Sequence, residues 1–595
     1  MVKERIKALQ KLMKKQKIQA YLVPSTDPHQ SEYVPALWER RKWLSGFTGS
    51  AGDLAITTKT AGLWTDSRYF LQAEEQLKGS GIQLFKSGLP ETLSIQQWLK
   101  SQLYAGDRVG IDPKVISYKE AKIFEEFLNP WKISLRPIEE NLIDKIWKDQ
   151  PEFPASPVMV HPLPYSGITI KEKIETLRKQ MKAEKVDVHI LTTLDNIAWL
   201  FNIRGRDVDF NPVVISYAIV TSKKVLLFTP LKKITKNVRK HFGRLVEYHD
   251  YENFPRQLQK ISKSKARIWV DLNTINWWIV SKLAAKCELL FKESPVVKMK
   301  AIKNGKEIEG LKACHIRDGV AMVKFLYWLD KSIDKEVITE ISAAEKLESF
   351  RSEQEHYQGP SFHTISAYQE HGAIVHYTTT SETDIKLAKS GIYLIDSGGH
   401  YLDGTTDITR TIALGEPNDE QKELFTRVLK GHVQLASTRF PKGTAGNQLD
   451  TLARKSLWDV GLNYGHGTGH GIGSYLNVHE GPQAISYYRG IGVALEENMV
   501  VSNEPGYYKS GEYGMRVENL ILTIKDQKFS DTTTEFMKFE TVTLCPIDLK
   551  LIYKPLLDSI EIQWLNEYHE KVRNTLSPHL PREEQEWLNE ATAAI

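Results

Sequence analysis

Cysteine is nearly absent: three occur in 595 residues, Cys287, Cys314 and Cys545, none close to another in the chain. That scarcity excludes a disulfide-stapled scaffold and a cysteine-based zinc framework, and it favours a reducing compartment, so a cytoplasmic location is expected. No run approaches the ~18 apolar residues of a membrane-spanning helix, so no membrane partner is expected. The opening MVKERIKALQKLMKKQ is basic but leads into no apolar stretch of signal-peptide length, and no leader is expected. Nor does one sign of charge dominate. The 79 Lys and Arg against 74 Asp and Glu leave +5, too little over this length to point to nucleic acid. What is there, 41% hydrophobic and 26% charged, is the composition of an ordinary folded chain. A chain of 595 residues is too long for one core, and roughly two to four domains are expected.

An internal repeat organises the front half. RIKALQKLMKKQKIQAYLV from Arg5 aligns with KIETLRKQMKAEKVDVHIL from Lys173, at an offset that matches Ile6 with Ile174, Leu9 with Leu177, Met13 with Met181 and Lys17 with Lys185. Apolar residues every three or four positions predict an amphipathic helix, and IQAYLV or VDVHIL predicts the strand after it. Each copy runs on into a tryptophan-bearing segment, WERRKWLSGFTGSAG or NIAWLFNIRGRD. The repeat is too long for a solenoid and reads as a duplicated α/β domain, with two unrelated helix–strand units as the alternative. A proline-punctuated linker, DQPEFPASPVMVHPLPYSG (Asp149–Gly167), places the first boundary near 155. A second proline-bearing segment, followed by a helix through Ile308, Leu311 and Ile316, places the next near 300. The expected domains are therefore 1–155, 156–300 and 301–595.

The third domain carries the chemistry. In GIYLIDSGGHYLDGTTDITRTIAL an apolar strand ends in Asp396, glycine-rich turns follow, and a Thr/Ile alternation carries Asp407, a hairpin-like pair. Taken alone, Asp396 equally fits a turn cap and Asp407 a solvated strand position. NMVVSNEPGYY repeats the design, with an apolar strand running into Glu504 ahead of a Pro-Gly turn. GMRVENLILTI predicts one strand on which Arg516, Glu518 and Leu520 share a face. Buried carboxylates are rare unless paired or metal-bound, and four on strands of one domain require a cation.

Residues 462–482, LNYGHGTGHGIGSYLNVHEGP, hold three histidines and six glycines. His466 and His470 have the i, i+4 spacing of the helical HExxH zinc motif, but the alternating glycines argue against a helix. One histidine with four carboxylates is an oxygen-rich donor set that suits manganese, cobalt or ferrous iron better than a thiolate-type zinc site. Four negative charges are neutralised by two divalent ions, the usual apparatus for polarising a carbonyl and activating water.

Asp396, Asp407, His470, Glu504 and Glu518, in that order and setting, resemble the five-ligand dinuclear site of the pita-bread metallopeptidases, a group that includes methionine aminopeptidases, prolidases and aminopeptidase P. The strings DSGGHYLDGTTDITRT, GHGTGHGIGSYLNVHEGP, NEPGYY and RVEN carry the resemblance. With the duplicated front half, it is closest to the three-domain cytosolic aminopeptidase P (Xaa-Pro aminopeptidase) group and covers essentially the whole chain. The resemblance implies two creatinase-like α/β domains followed by a pita-bread catalytic domain, a curved antiparallel sheet flanked by helices, so the fold class is α/β and α+β. It implies two divalent ions per subunit, Mn²⁺ for preference, with Asp407 and Glu518 bridging them and Asp396 and Glu504 each serving mainly one, with His470. It implies peptide contacts from His376, His466, His470, His479, Arg516 and, in TDSRYF, Arg68. Glu504 is then the proton shuttle and His479 the oxyanion donor, with His376 beside them as a catalytic group. The implied activity is removal of the first residue from peptides with proline second. A prolidase-type dipeptidase and a catalytically dead binding module are the rivals. The first is disfavoured by the duplicated front half and the second by five intact ligand types. Trp458, just before the histidine loop, resembles a dimer-contact tryptophan, which implies a homodimer, and it equally fits a buried core position.

Overall fold

The computed structural model describes residues 1–487, 492–531 and 533–595. The chain divides into two compact units, Met1–His161 with Ile168–Val297, and Pro162–Gly167 with Lys298–Ile595.

In the first unit the two repeated amphipathic segments are helices Val2–Lys15 and Ile170–Ala183. Ile6, Leu9 and Met13 bury one face of the first, and Ile174, Leu177 and Met181 bury the matching face of the second. Both helices end the same way. Lys17 and Lys185 adopt left-handed backbone, φ 54° and 55°. The next amides, of Ile18 and Val186, then donate back to the carbonyls of Met13 and Met181 at 3.1 and 3.0 Å. This satisfies carbonyls that the last turn would leave open.

The strands that follow, Ala20–Val23 and Val188–Leu191, each lie inside a six-stranded mixed sheet. Counted along each sheet, the order is the same in both copies, and so are the directions. The first strand pairs antiparallel with one neighbour (Asp53–Thr57 or Tyr217–Thr221) and parallel with the other (Arg108–Ile111 or Arg267–Val270). The front half is therefore a duplicated α/β fold. Its copies meet through like segments. Ser117, which caps helix Tyr118–Leu128, bridges Asn276, which caps helix Trp277–Leu283. The amides of Tyr118 and Trp277 donate across to the carbonyls of Ile275 and Ile116 at 2.8 and 3.0 Å.

In the second unit every strand pairing is antiparallel among the described residues. One sheet aligns Ile365–Tyr368, Ile392–Ser397 and Ile408–Ala413; a second, six-stranded, includes Gly469–Gly471, Val500–Asn503 and Asn519–Lys525. Helices Gly305–Ser332, Asp419–Ala436, Gly446–Trp458 and Ser559–Leu576 supply the cores against them. The hairpin-like reading of 391–414 holds, since Ile392–Ser397 pairs with Ile408–Ala413 and the glycine-rich turns lie between.

The single strand expected over GMRVENLILTI does not form. Tyr513–Arg516 belongs to a two-stranded ribbon, Asn519–Lys525 to the six-stranded sheet, and the chain breaks at 517–518. The reason lies in the backbone: the Val517 amide is turned to the Pro505 carbonyl and the Glu518 amide to the Thr409 carbonyl, at 3.3 and 3.2 Å. Arg516, Glu518 and Leu520 therefore share no strand face. No helix among the described residues is long and apolar enough to cross a membrane.

The repeat gives a direct test. Leu177 is fully buried, and Leu177→Ala is expected to lower the unfolding free energy by about 2–5 kcal/mol. Lys185 pays for its left-handed backbone, so Lys185→Gly should be neutral or stabilise by up to ~1 kcal/mol. Denaturant melts of the two variants check the pair; a Lys185→Gly protein as damaged as Leu177→Ala contradicts the helix ending described here.

Candidate metal centre

Five carboxylate and imidazole groups reach the site from strand ends, where the sheet fixes the backbone and leaves the side chain free to project. Asp396 stands near the end of Ile392–Ser397, opposite Thr409, and Asp407 immediately precedes Ile408–Ala413. His470 is the middle residue of Gly469–Gly471. Glu504 follows Val500–Asn503, with its amide donating to the Thr468 carbonyl at 2.8 Å. Glu518 occupies the chain break before Asn519–Lys525. The glycines around His470 are needed because backbone packs there: a Cβ on Gly469 would lie 1.9 Å from the Ser502 carbonyl oxygen, and one on Gly471 2.1 Å from that of Glu480.

Asp407, His470 and Glu518 offer ligand atoms that all lie within 4.8 Å of one another. His470 Nε2 is 3.4 Å from Asp407 Oδ2 and 3.5 Å from Glu504 Oε1. Asp396 accepts from Arg516 Nη2 at 2.6 Å through Oδ2, while its Oδ1 is buried with no hydrogen-bond partner. Thr409 Oγ1 donates to Glu518 Oε2 at 2.7 Å, and Ser502 Oγ to Glu504 Oε1 at 3.2 Å.

The electrostatics follow from burying these groups together. Burial, with Asp407 and Glu504 adding to it, pushes Asp396 up to about 6 against the pull of Arg516. Burial also raises Glu504, although His470 and Arg516 oppose it, and raises Glu518 well above the carboxylate range, with Asp407, Glu504 and Asp396 adding. Burial lowers His470, but its hydrogen bond to Asp407 and the charges of Glu504 and Asp407 outweigh that and hold it at about 9. Carboxylates resist ionising here while positive charge is drawn to Nε2. Together with the orphaned Asp396 oxygen, this is a donor set that fits divalent cations.

The other expected residues fall into two groups. His466 lies beside the cluster, its Nδ1 4.0 Å from Glu504, but both nitrogens are engaged, Nε2 with the Tyr508 hydroxyl and Nδ1 with the Gly467 carbonyl, each at 2.8 Å. His479 packs edge-on to His470 with ring centroids 4.3 Å apart. Arg516 is 1% exposed and gives Nη2 to Asp396, Nε to Thr409 at 3.0 Å and Nη1 to Tyr508 at 2.6 Å, so protein acceptors take its fork. His376 is half-buried in the turn after the short helix Gln369–Ala373. That turn is held by buried Glu340, which bonds His371 Nδ1 at 2.9 Å and the Tyr377 hydroxyl at 3.1 Å. Arg68 belongs to the first unit and is paired there with Asp66 at 2.7 Å.

Sequence reasoning missed Tyr508, which ties His466 to Arg516, and Arg454. Arg454 anchors the histidine loop from the helix before it, donating to the His466 and Tyr464 carbonyls at 2.6 and 2.8 Å and to Asp450 at 2.6 Å. Tyr508 stands four residues after Glu504, and Arg454 four after Asp450, spacings that carry no signal by themselves.

The chain matches known families along nearly its whole length. Residues 5–145 and 149–307 each match the creatinase/prolidase N-terminal domain, 309–525 match metallopeptidase family M24, and 535–595 match the C-terminal region of peptidase M24. A Xaa-Pro aminopeptidase of Drosophila melanogaster is 44% identical, covering 97% of this chain and 96% of its own. Aminopeptidase P1 of Lotus japonicus is 40% identical over 97% of each chain. The crystal structure of an X-prolyl aminopeptidase from Caenorhabditis elegans, described as a cytosolic enzyme with a di-nuclear active site, superposes with a TM-score of 0.96 at 36% identity over 100% of both chains.

The protonation pattern makes a prediction about ion uptake. Between about 6, where Asp396 titrates, and about 9, where His470 does, an incoming ion must displace the His470 proton. Binding of a divalent ion should therefore release at least about one proton per chain and tighten as pH rises through that window. Calorimetric titration in buffers of different ionisation enthalpy reads the release directly, and heats independent of the buffer would contradict this account.

Proposed function

We propose a division of labour for a chain that belongs to the Xaa-Pro aminopeptidases of metallopeptidase family M24. It hydrolyses the first peptide bond of substrates whose second residue is proline, as an enzyme with two creatinase-type domains and a pita-bread catalytic domain. We divide these as 1–155, 156–300 and 301–595. The observation that carries the reading is the buried Asp407, His470 and Glu518 cluster, flanked by Glu504 and by the unpartnered oxygen of Asp396.

Asp396, Asp407, His470, Glu504 and Glu518 would hold two divalent ions, and we assign Mn²⁺ from the oxygen-rich donor set. When bound, such ions supply Lewis acidity toward the scissile carbonyl and lower the pKa of a water. Asp407 and Glu518 would help to hold both ions. Glu504, raised by burial, takes the proton of the attacking water and delivers it to the leaving nitrogen. His479 donates to the carbonyl oxygen as it gains charge. His376 and His466 face the peptide, while Arg516 orients Asp396 and sets which of its oxygens stays free. A bond to proline is a tertiary amide with no N–H, so the pocket behind the carbonyl has to take a ring in place of a donor.

Three unpaired cysteines and the cytosolic C. elegans relative support a cytoplasmic location. Trp458, 42% exposed, is no core residue, and we assign it to the contact between two copies of the chain.

Specificity tests the reading as a whole. A secondary amide leaves its N–H unpaired in a proline-shaped pocket, and an unsatisfied buried donor costs about 1–3 kcal/mol, roughly ten- to hundredfold. With Mn²⁺ restored after chelation, Arg-Pro-Pro should lose its first residue at least about ten times more efficiently in kcat/KM than Arg-Ala-Ala. Equal values would leave a general aminopeptidase on this fold. For the assembly, Trp458→Glu should run as a folded monomer in sedimentation, and an unchanged mass would move the contact elsewhere.

A further inference from the structure

An ion cluster that none of these roles uses lies next to His479. Glu480 follows it directly and opens the strand Glu480–Ile485, with its side chain wholly buried. Lys300, in the last turn of helix Pro295–Ala301, places Nζ 3.0 Å from Glu480 Oε2. Lys303, three residues on, places Nζ 2.6 Å from Oε1 and donates to the Lys300 carbonyl at 3.0 Å. The two lysine side chains are 2% and 4% exposed.

Stability alone does not account for this arrangement. Two ammonium groups and a carboxylate lose their hydration, two long side chains lose their rotamers, and an apolar trio of similar volume would serve the core as well. What the cluster does supply is position, through three connections. Glu480 lies in register with Gly471, the residue after His470, at backbone contact. The Lys303 amide donates to the Asn498 carbonyl at 3.0 Å, just ahead of the strand Val500–Asn503 that leads into Glu504. The His479 ring, one residue from the clamped carboxylate, stands nearly perpendicular to that of His470, at 82°.

We propose that the Lys300–Glu480–Lys303 cluster is the positioning device of His479, fixing the backbone at 479–480 so that the imidazole meets the carbonyl oxygen of the scissile bond. The inference rests on the oxyanion role given to His479 above. Glu480, Lys300 and Lys303 are positioning residues: they act through the histidine and touch no substrate.

A double-mutant cycle on the metal-loaded full chain separates the two claims. Glu480→Gln and Lys303→Gln should each lower kcat by about 10–100-fold with metal content and KM nearly unchanged. In the His479→Ala background, the same replacements should change kcat by less than about twofold, because the residue they act through is gone. Lys303→Arg keeps the charge and should fall between wild type and Lys303→Gln; it serves the same cycle if the neutral variants fail to fold. Persistence of the full loss in the His479→Ala background overturns the positioning role and leaves the oxyanion role standing. A His479→Ala enzyme with wild-type kcat overturns the oxyanion role and the inference built on it. A lowered melting temperature with kcat per metal-loaded chain intact also overturns the inference and makes the cluster a fold stabiliser.

Discussion

Like charges buried together govern the catalytic unit. Four carboxylates and an imidazole converge where water cannot screen them, and two unit charges 4 Å apart at a protein-like dielectric interact by about 4 kcal/mol. The chain relieves this only in part. Arg516 neutralises one oxygen of Asp396, and Thr409 and Ser502 each give one hydrogen bond to a glutamate. Fuller relief would close the site, since every donor added to these oxygens is a ligand position lost. The unpartnered Asp396 oxygen is the visible sign of that compromise.

Holding such a cluster open requires a stiff surround, and three arginines among the largest fully buried side chains provide it. Arg516 faces the ligands. Arg454 holds the histidine loop by its carbonyls. Arg410 stands behind Glu518, donating to the carbonyls of Thr409, Glu518, Cys545 and Pro546, to the Asn519 side chain and to the Tyr568 hydroxyl. Through it Cys545, Pro546 and Tyr568 brace the break at 517–518 on which Glu518 sits. A guanidinium suits this task because its five donors are fixed in one plane and can serve several carbonyls at once.

Much of this was legible in the sequence, and the limits have physical causes. The candidate ligands could be picked out because carboxylates that end apolar runs, and histidines among glycines, are local patterns. The duplicated domain was legible because Leu9 and Leu177, or Met13 and Met181, keep the same helical phase, and even Lys17 and Lys185 share one backbone conformation. The strand through 514–524 was misread because period-two alternation says nothing about where an amide finds its acceptor, and the amides at 517 and 518 find theirs on other segments. Arg410 and the lysines on Glu480 were invisible for a related reason: they reach partners more than a hundred residues away, and a single sequence holds no record of such partnerships.

The joint at Ser117 and Asn276 has a consequence of its own. Related segments meeting face to face make an isologous contact, the kind that holds two identical subunits together, here repeated inside one chain. Tethering converts association into an intramolecular event, with an effective concentration of order millimolar for a short connection. The two backbone hydrogen bonds and the pair of capping side chains at this joint are therefore made without the full cost of bringing two free subunits together. Two halves encoded in one chain are also not bound to be identical. One copy can lose or gain a side chain without its twin following, so the two halves can carry different faces.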